Sequence, residues 1–158
     1  MLKVLGGLLI LAGGGIICTR RIRASRHELT AVREWIAALE KMVGEIRWKN
    51  TPLPDIACGM KGMGTPGPVM AAVAEPGNRP LQEVWQTSTA RVQPPEVGEI
   101  LCRLALSGDS ESLLGELQYA SEQLKHLLQE KQRCQKEGEK LCLTLSFSAA
   151  GLLIVLLI

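Results

Sequence analysis

The chain has 158 residues, enough for one small domain once its two apolar ends are set aside. Its formal charge is only +2, because 18 Lys and Arg are balanced by 16 Asp and Glu. No long run of one sign is present and aromatic residues are scarce, so we expect no nucleic-acid partner. The five cysteines are scattered without a CxxC pair, which argues against a disulfide framework or a zinc site and favours reduced thiols.

An apolar segment opens the chain, and residues 1–18 are predicted to form a transmembrane anchor. The run is short but adequate for a span. A secretory signal peptide is the alternative. The anchor is favoured because Lys3 is the only charge ahead of the run, no small-x-small cleavage site follows it, and arginines close it. By the positive-inside rule, these arginines place the residues that follow them in the cytoplasm. They are Arg20, Arg21, Arg23 and Arg26.

A long amphipathic helix is predicted from Ser25 to about Lys49. Its apolar residues recur at spacings of three and four, the pattern that places one stripe on one helical face. Charged residues such as Glu34 are interpreted as the solvated side of this helix. The stripe consists of Leu29, Val32, Ile36, Leu39, Val43 and Ile46, widened by Trp35 and Met42.

The long helix is predicted to end at a corner formed by the sequence TPLP and the aspartate after it. Because proline does not continue a helix but suits its first turn, Pro52 is expected to begin a new helix with Thr51 as its N-cap. The corner is the candidate interaction surface, and a purely structural turn is the alternative. Its residues are Thr51, Pro52, Leu53, Pro54 and Asp55, to which we add Trp85.

Short helices are predicted between the corner and the last helix. The glycines within residues 59–67 are interpreted as a flexible connection, because neither a GxxxxGK[ST] nor a GxGxxG phosphate motif is present. A turn is predicted at residues 75–78, followed by a helix whose apolar face includes Trp85. Pro94 and Pro95 are expected to start the next helix, with an apolar stripe in residues 97–104.

The chain is predicted to finish as one long helix, because no proline interrupts residues 109–158. Asp109 suits the N-cap position. The last 18 residues, 141–158, carry no charge and are predicted to form a second transmembrane helix, with Lys136 and Lys140 at its cytoplasmic junction. The helix also carries an apolar stripe at Leu113, Leu117, Ala120, Leu124 and Leu127.

Together these elements predict an all-α fold, since no run of alternating β-branched residues is present. We expect a membrane-anchored helical bundle of two long antiparallel helices and about four short ones. The cytoplasmic helical domain would cover residues 19–140, between the two anchors. Both anchors would therefore approach the membrane from the same side.

An enzyme is not expected, because the chain lacks a set of residues suited to catalysis. His27 lies beside the arginine cluster and His126 lies between Lys125 and Leu127, with no recognisable nucleophile or metal-binding pattern near either. Carboxylates near helix starts are explained by the helix dipole. We therefore expect no catalytic residue, cofactor, metal or small-molecule substrate.

The order of these features resembles the stage III sporulation protein AB family of endospore-forming bacteria over essentially the full length. The TPLP element at the end of the first long helix is the most specific part of the resemblance. The other matching residues are Met1-Leu2-Lys3, the cluster at 20–26, Leu39-Glu40, Glu45-Ile46, Trp85, Leu101, Leu104 and Gly151-Leu152.

The resemblance implies a non-catalytic platform subunit in the channel-like complex that links mother cell and forespore. It implies a position in the outer forespore membrane, with the helical domain in the mother-cell cytoplasm and a fold similar to the cytoplasmic domains of type II secretion and type IV pilus platform proteins. The implied partners are membrane lipid, the complex's secretion-type ATPase and its polytopic membrane subunits.

A small oligomeric pore-forming or membrane-active protein is the alternative function. It would be built from the two short spans, with Gly13, Gly14 and Gly15 allowing close helix approach in the first. In the last span, Thr144 and Ser148 share a helical face and Ser146 lies between them. Such hydroxyls can equally bond to the backbone of their own helix, and about 120 residues of patterned domain would be superfluous in a pore.

Overall fold

The computed structural model describes residues 2–49, 51–106 and 109–157, with the side chains of 2–25, 139, 142, 143, 146, 147 and 149–157 left out of the description. The described residues form helices and contain no strand, so the predicted all-α class is confirmed. Two helices are long and four are short, as expected. They are α1 (Leu2–Lys49), α2 (Leu53–Cys58), α3 (Gly67–Ala74), α4 (Leu81–Thr89), α5 (Pro95–Cys102) and α6 (Ser110–Leu157).

The chain divides into two compact units. One contains Met1–His27 and Glu130–Ile158, and the other contains Glu28–Gln129. The first unit thus combines the beginning of α1 with the end of α6. The larger unit lies inside the range predicted for the helical domain, residues 19–140.

The two predicted transmembrane segments fall mainly on side chains outside the description. Among the residues that were described, no helix is sufficiently long and apolar to cross a membrane. The backbone is helical over 2–18 and 141–157. The spans at 1–18 and 141–158 therefore stay predictions.

A single hydrophobic core fills the Glu28–Gln129 unit, and the α1 stripe supplies much of it. Every predicted stripe residue of α1 is buried except Val43, which is half-buried. At the centre, the rings of Trp35 and Trp85 meet edge to face, with centroids 6.3 Å apart and planes at 86°. This geometry is favourable for two aromatic quadrupoles. The stripe of α6 is confirmed too: Leu117, Ala120 and Leu124 are buried.

The start of α2 differs from the prediction. Pro52, not Thr51, occupies the N-cap position, and no side chain caps the helix. The Pro52 carbonyl accepts hydrogen bonds from the N–H groups of Asp55 and Ile56 at 3.0 and 3.2 Å. Because Pro54 lies in the first turn and has no N–H, one donor that a cap would satisfy is absent. The helices after it start as expected, with Pro94 as the N-cap of α5 and α6 beginning directly after Asp109.

Gly64 and Gly67 are closely packed, whereas a Cβ on Gly62 would meet nothing within 4 Å, so the flexible connection over residues 59–67 stays a prediction. A Cβ on Gly64 would lie 2.5 Å from a carboxylate oxygen of Glu34, and a Cβ on Gly67 would lie 2.7 Å from the Lys61 carbonyl oxygen. The N–H of Thr65 donates to Glu34 Oε2 at 2.7 Å. Glu34 was predicted to be solvated, but it is half-buried and ties this segment to α1.

Close packing also joins α4 and α5. Trp85 Nε1 donates to the Leu101 carbonyl at 2.7 Å. A Cβ on Gly98 would lie 2.8 Å from the Thr89 carbonyl oxygen, so only glycine permits this approach. These contacts fix α5 on α4.

Replacing Gly98 should therefore destabilise the fold. We expect Gly98→Ala to lower the free energy of unfolding by about 1–3 kcal/mol, because the new methyl group meets backbone that cannot move away cheaply. The measurement is urea unfolding of the full chain in detergent micelles, followed by circular dichroism.

Gly44→Ala is the matched control, since a Cβ on this helical glycine meets nothing within 4 Å. It should raise the free energy of unfolding by about 0.5–1 kcal/mol through helix propensity alone. Equal effects of the two substitutions would contradict the close approach of α5 to α4.

Candidate functional site

The predicted interaction corner lies partly on the surface. Pro52 and Asp55 are exposed, Thr51 and Pro54 are half-buried, and Leu53 is buried in the core. The corner thus combines an anchoring residue with a small exposed surface. Its backbone is held by the Pro52 carbonyl and by the Gly59 N–H, which donates to the Asp55 carbonyl at 3.2 Å.

Trp48 is the residue next to the corner that the sequence pattern did not single out. Its side chain is 83% exposed, the largest such fraction among the exposed large apolar residues, whereas Trp35 and Trp85 are completely buried. Ile46 is the last residue of the apolar stripe. Trp48 is two residues further along the helix and therefore lies about 200° around the helix axis from Ile46. Trp48 therefore points away from the core. Its position off the stripe is the signal that could have identified it.

The charges around Trp48 are divided between paired and unpaired groups. Lys49 Nζ lies 2.9 Å from Glu45 Oε1, an exposed pair one helical turn apart that contributes little to stability. Arg47 and Asp55 are exposed and make no ion pair with another described residue. We call the group formed by Arg47, Trp48, Lys49, Pro52 and Asp55 the corner surface. It offers an aromatic side chain with a free cation and a free anion nearby in sequence.

Trp85 lies in the core and is not part of the corner surface. Its side chain is completely buried, its indole N–H is bonded to the Leu101 carbonyl, and its ring packs on Trp35. It therefore offers no surface to a partner. Its contribution is to hold α4 and α5 against α1.

An ion pair connects the segment after α2 to the end of α3. Lys61 Nζ lies 2.6 Å from Glu75 Oε1, which holds the pKa of Glu75 below its usual value and raises the pKa of Lys61. The hydrogen bond between the two groups is the main cause of both shifts, and the nearby Cys58 thiol adds to the rise for Lys61. The pair is therefore fully charged near neutral pH.

The predicted membrane-junction residues are described only in part. Arg26, Lys136 and Lys140 are exposed. The side chains of Arg20, Arg21 and Arg23 lie outside the described residues. Arg133 pairs with Glu137 at 3.1 Å in the same region of α6.

Among the described residues, no three His, Cys, Asp or Glu side chains lie close enough together to hold a metal ion. His27 and His126 are both exposed, on α1 and α6. Of the cysteines, Cys58 and Cys134 are exposed free thiols, and Cys102 is half-buried with its Sγ 3.1 Å from Thr89 Oγ1. The arrangement described here offers binding surfaces and assembles no reacting groups.

The sequence was also compared with known proteins. No curated protein and no solved structure matches it. Among families, residues 3–158 match the one described as stage III sporulation protein AB.

Proposed function

The chain belongs to the stage III sporulation protein AB family, and on that premise we propose that it is a non-catalytic membrane platform subunit of a sporulation complex. Its role is that of a stage III sporulation protein. In the proposal, its helical domain provides the docking surface for a secretion-type ATPase, and polytopic membrane subunits lie beside its anchors. The complex would be the channel-like assembly between mother cell and forespore.

The proposed location is the outer forespore membrane, with residues 19–140 in the mother-cell cytoplasm. Two observations support membrane anchoring: the apolar ends of the chain and the basic residues that flank them on one side. On α6, Leu141 and Leu145 are 64% and 68% exposed and lie one helical turn apart. In lipid these side chains would be in an apolar surrounding, whereas in water they would be an unusual exposed pair.

The exposure of Trp48 is the observation that carries the docking proposal. Tryptophan and arginine are enriched among the residues that dominate binding energy at protein interfaces, and both are present on the corner surface. The unpaired charges of Arg47 and Asp55 add electrostatic selectivity to an aromatic anchor. We therefore assign the ATPase contact to this surface.

Lipid is a poorer partner for Trp48. About 30 residues of α1, or about 45 Å of helix, separate it from the end of the predicted anchor at residue 18. Tryptophans that stabilise membrane proteins in the headgroup region lie close to the ends of their spans. A protein partner explains an exposed tryptophan at this distance.

The pore alternative loses part of its motivation in the second span. Thr144 Oγ1 donates to the Lys140 carbonyl at 2.9 Å, so this hydroxyl is bonded to its own helix. A hydroxyl whose proton is used in that way has no proton left to donate to a neighbouring helix. The platform function is therefore the better supported of the two.

Substitution of Trp48 should weaken binding of the ATPase without unfolding the chain. We expect Trp48→Ala to reduce recovery of the ATPase with the full chain in lipid nanodiscs by about tenfold or more, the effect of an interface residue that dominates binding. Trp48→Phe should retain most of the binding, because an aromatic surface remains. The measurement is affinity purification from nanodiscs with quantification of the bound ATPase.

Arg79→Ala is the control for this experiment, because Arg79 is exposed on the turn before α4 and is not part of the corner surface. It should bind the ATPase like the unaltered chain. Unchanged recovery with Trp48→Ala would remove the docking assignment. A failure of the unaltered chain to bind the ATPase would remove the platform proposal itself.

Thiol accessibility tests the proposed topology. In single-cysteine chains that keep only Cys58 or only Cys134, both exposed, we expect no reaction with a membrane-impermeant maleimide added outside intact cells. Both thiols should react fully once the membrane is permeabilised. Labelling of both from outside would contradict the proposed cytoplasmic position of residues 19–140.

A further inference from the structure

A groove on the Glu28–Gln129 unit, separate from the corner surface, lies between α5 and α6. It is open to solvent and has a volume of about 210 Å³. The α5 side consists of Ile100, Arg103 and Leu104, and the α6 side consists of Glu116, Tyr119, Ala120 and Gln123. Its floor is apolar and its rim is polar, the composition of a protein interface rather than of a cofactor site.

The α5 side of the groove is held rigidly from behind. Gln82 on α4 donates through Nε2 to the Leu104 carbonyl at 2.9 Å and accepts through Oε1 from the Leu106 N–H at 2.6 Å. Trp85 holds the Leu101 carbonyl in the same way. The backbone that carries Arg103 and Leu104 is therefore fixed before any partner arrives, which lowers the entropic cost of binding.

Two opposite charges line the groove without pairing. Neither the Arg103 guanidinium nor the Glu116 carboxylate forms an ion pair or a side-chain hydrogen bond within the described part of the chain. By contrast, Lys125 on the same long helix pairs with Glu40 at 2.7 Å. A partner that fits the groove must therefore offer an anion to Arg103 and a cation to Glu116.

We propose that the occupant of this groove is the same groove on a second copy of the chain. A two-fold axis through the groove brings each Arg103 to the other copy's Glu116, so that both unpaired charges are satisfied at once. Tyr119, which is 63% exposed, then packs on Ile100 of the second copy, the half-buried apolar residue of the α5 side.

Self-association explains the groove better than an unrelated helix does. The exposed Tyr119 and the half-buried Ile100 that can cover it lie in the same groove, and the charges of Arg103 and Glu116 are complementary to each other. These are the requirements of an isologous contact. Membrane anchoring, as proposed above, would keep the copies at high local concentration, so that a modest interface is sufficient. The inference does not depend on ATPase binding.

Charge reversal at two positions provides the test. One population of full chains is labelled with a donor dye and another with an acceptor dye. The two are mixed in lipid vesicles, and the efficiency of fluorescence energy transfer measures their association. We expect Arg103→Glu alone and Glu116→Arg alone each to weaken self-association by about tenfold or more, since like charges then oppose each other. A mixture of R103E chains with E116R chains should associate again, because every contact across the two-fold axis then joins opposite charges.

The matched controls are Arg91→Glu and Glu83→Arg, which reverse exposed charges outside the groove. They should leave association unchanged, and circular dichroism should give all variants the same melting curve as the unaltered chain. Tyr119→Ala should weaken association as well. Monomeric unaltered chains in vesicles, or a mixture that associates no better than either single variant, would overturn the proposal.

Discussion

The apolar stripe of α1 is the feature on which the rest of the structure depends. Side chains from Val32 to Ile46 form one wall of the core. The four short helices are each too short to be stable alone, so they exist because they can bury an apolar face against this core. The edge-to-face contact of Trp35 with Trp85 joins the long helix to α4 at the centre. Loss of the stripe would leave the short helices without a common support.

The same stripe determines what is left on the surface. It ends at Ile46, and the helix continues for one further turn, so Trp48 lies on the outside while Leu53 returns to the core after the corner. Elsewhere in the unit, Gln82 and Trp85 bind the carbonyls at the end of α5 and fix one wall of the groove. Each proposed contact surface is therefore held by buried groups directly behind it. That arrangement suits a platform, because rigid surfaces bind partners at lower entropic cost.

Sequence periodicity was sufficient to predict the helices and their buried faces, since burial of one face imposes a spacing of three and four on the residues themselves. It was insufficient where a contact joins residues distant in sequence. Glu34 was assigned to the solvent because its neighbours on α1 are charged, yet its carboxylate binds the Thr65 N–H. Gly64 and Gly67 were assigned to a flexible segment, because no local pattern distinguishes a packed glycine from a mobile one. The N-cap of α2 was predicted at Thr51 but lies at Pro52. The reason is local, because proline has no N–H and a side-chain cap next to two prolines has fewer N–H groups to bind.

The proposed docking surface adjoins the corner predicted from the sequence, but only some of its residues were among those predicted. The TPLP sequence indicated the corner, but Trp85, which was included with it, is a core residue. Trp48 was overlooked because the prediction followed the buried stripe, although a tryptophan off that stripe is expected to be exposed. The groove between α5 and α6 could not be foreseen either, since Arg103 and Glu116 belong to different helices. Its walls come together only through tertiary packing.

The central claim is that the corner surface binds the secretion-type ATPase during sporulation. It is tested most directly by placing a photo-reactive amino acid at position 48 of the full chain in sporulating cells, with position 79 as the comparison. The account predicts a light-dependent adduct with the ATPase from position 48 and none from position 79. Adducts to lipid alone from position 48, or equal ATPase adducts from both positions, would contradict it.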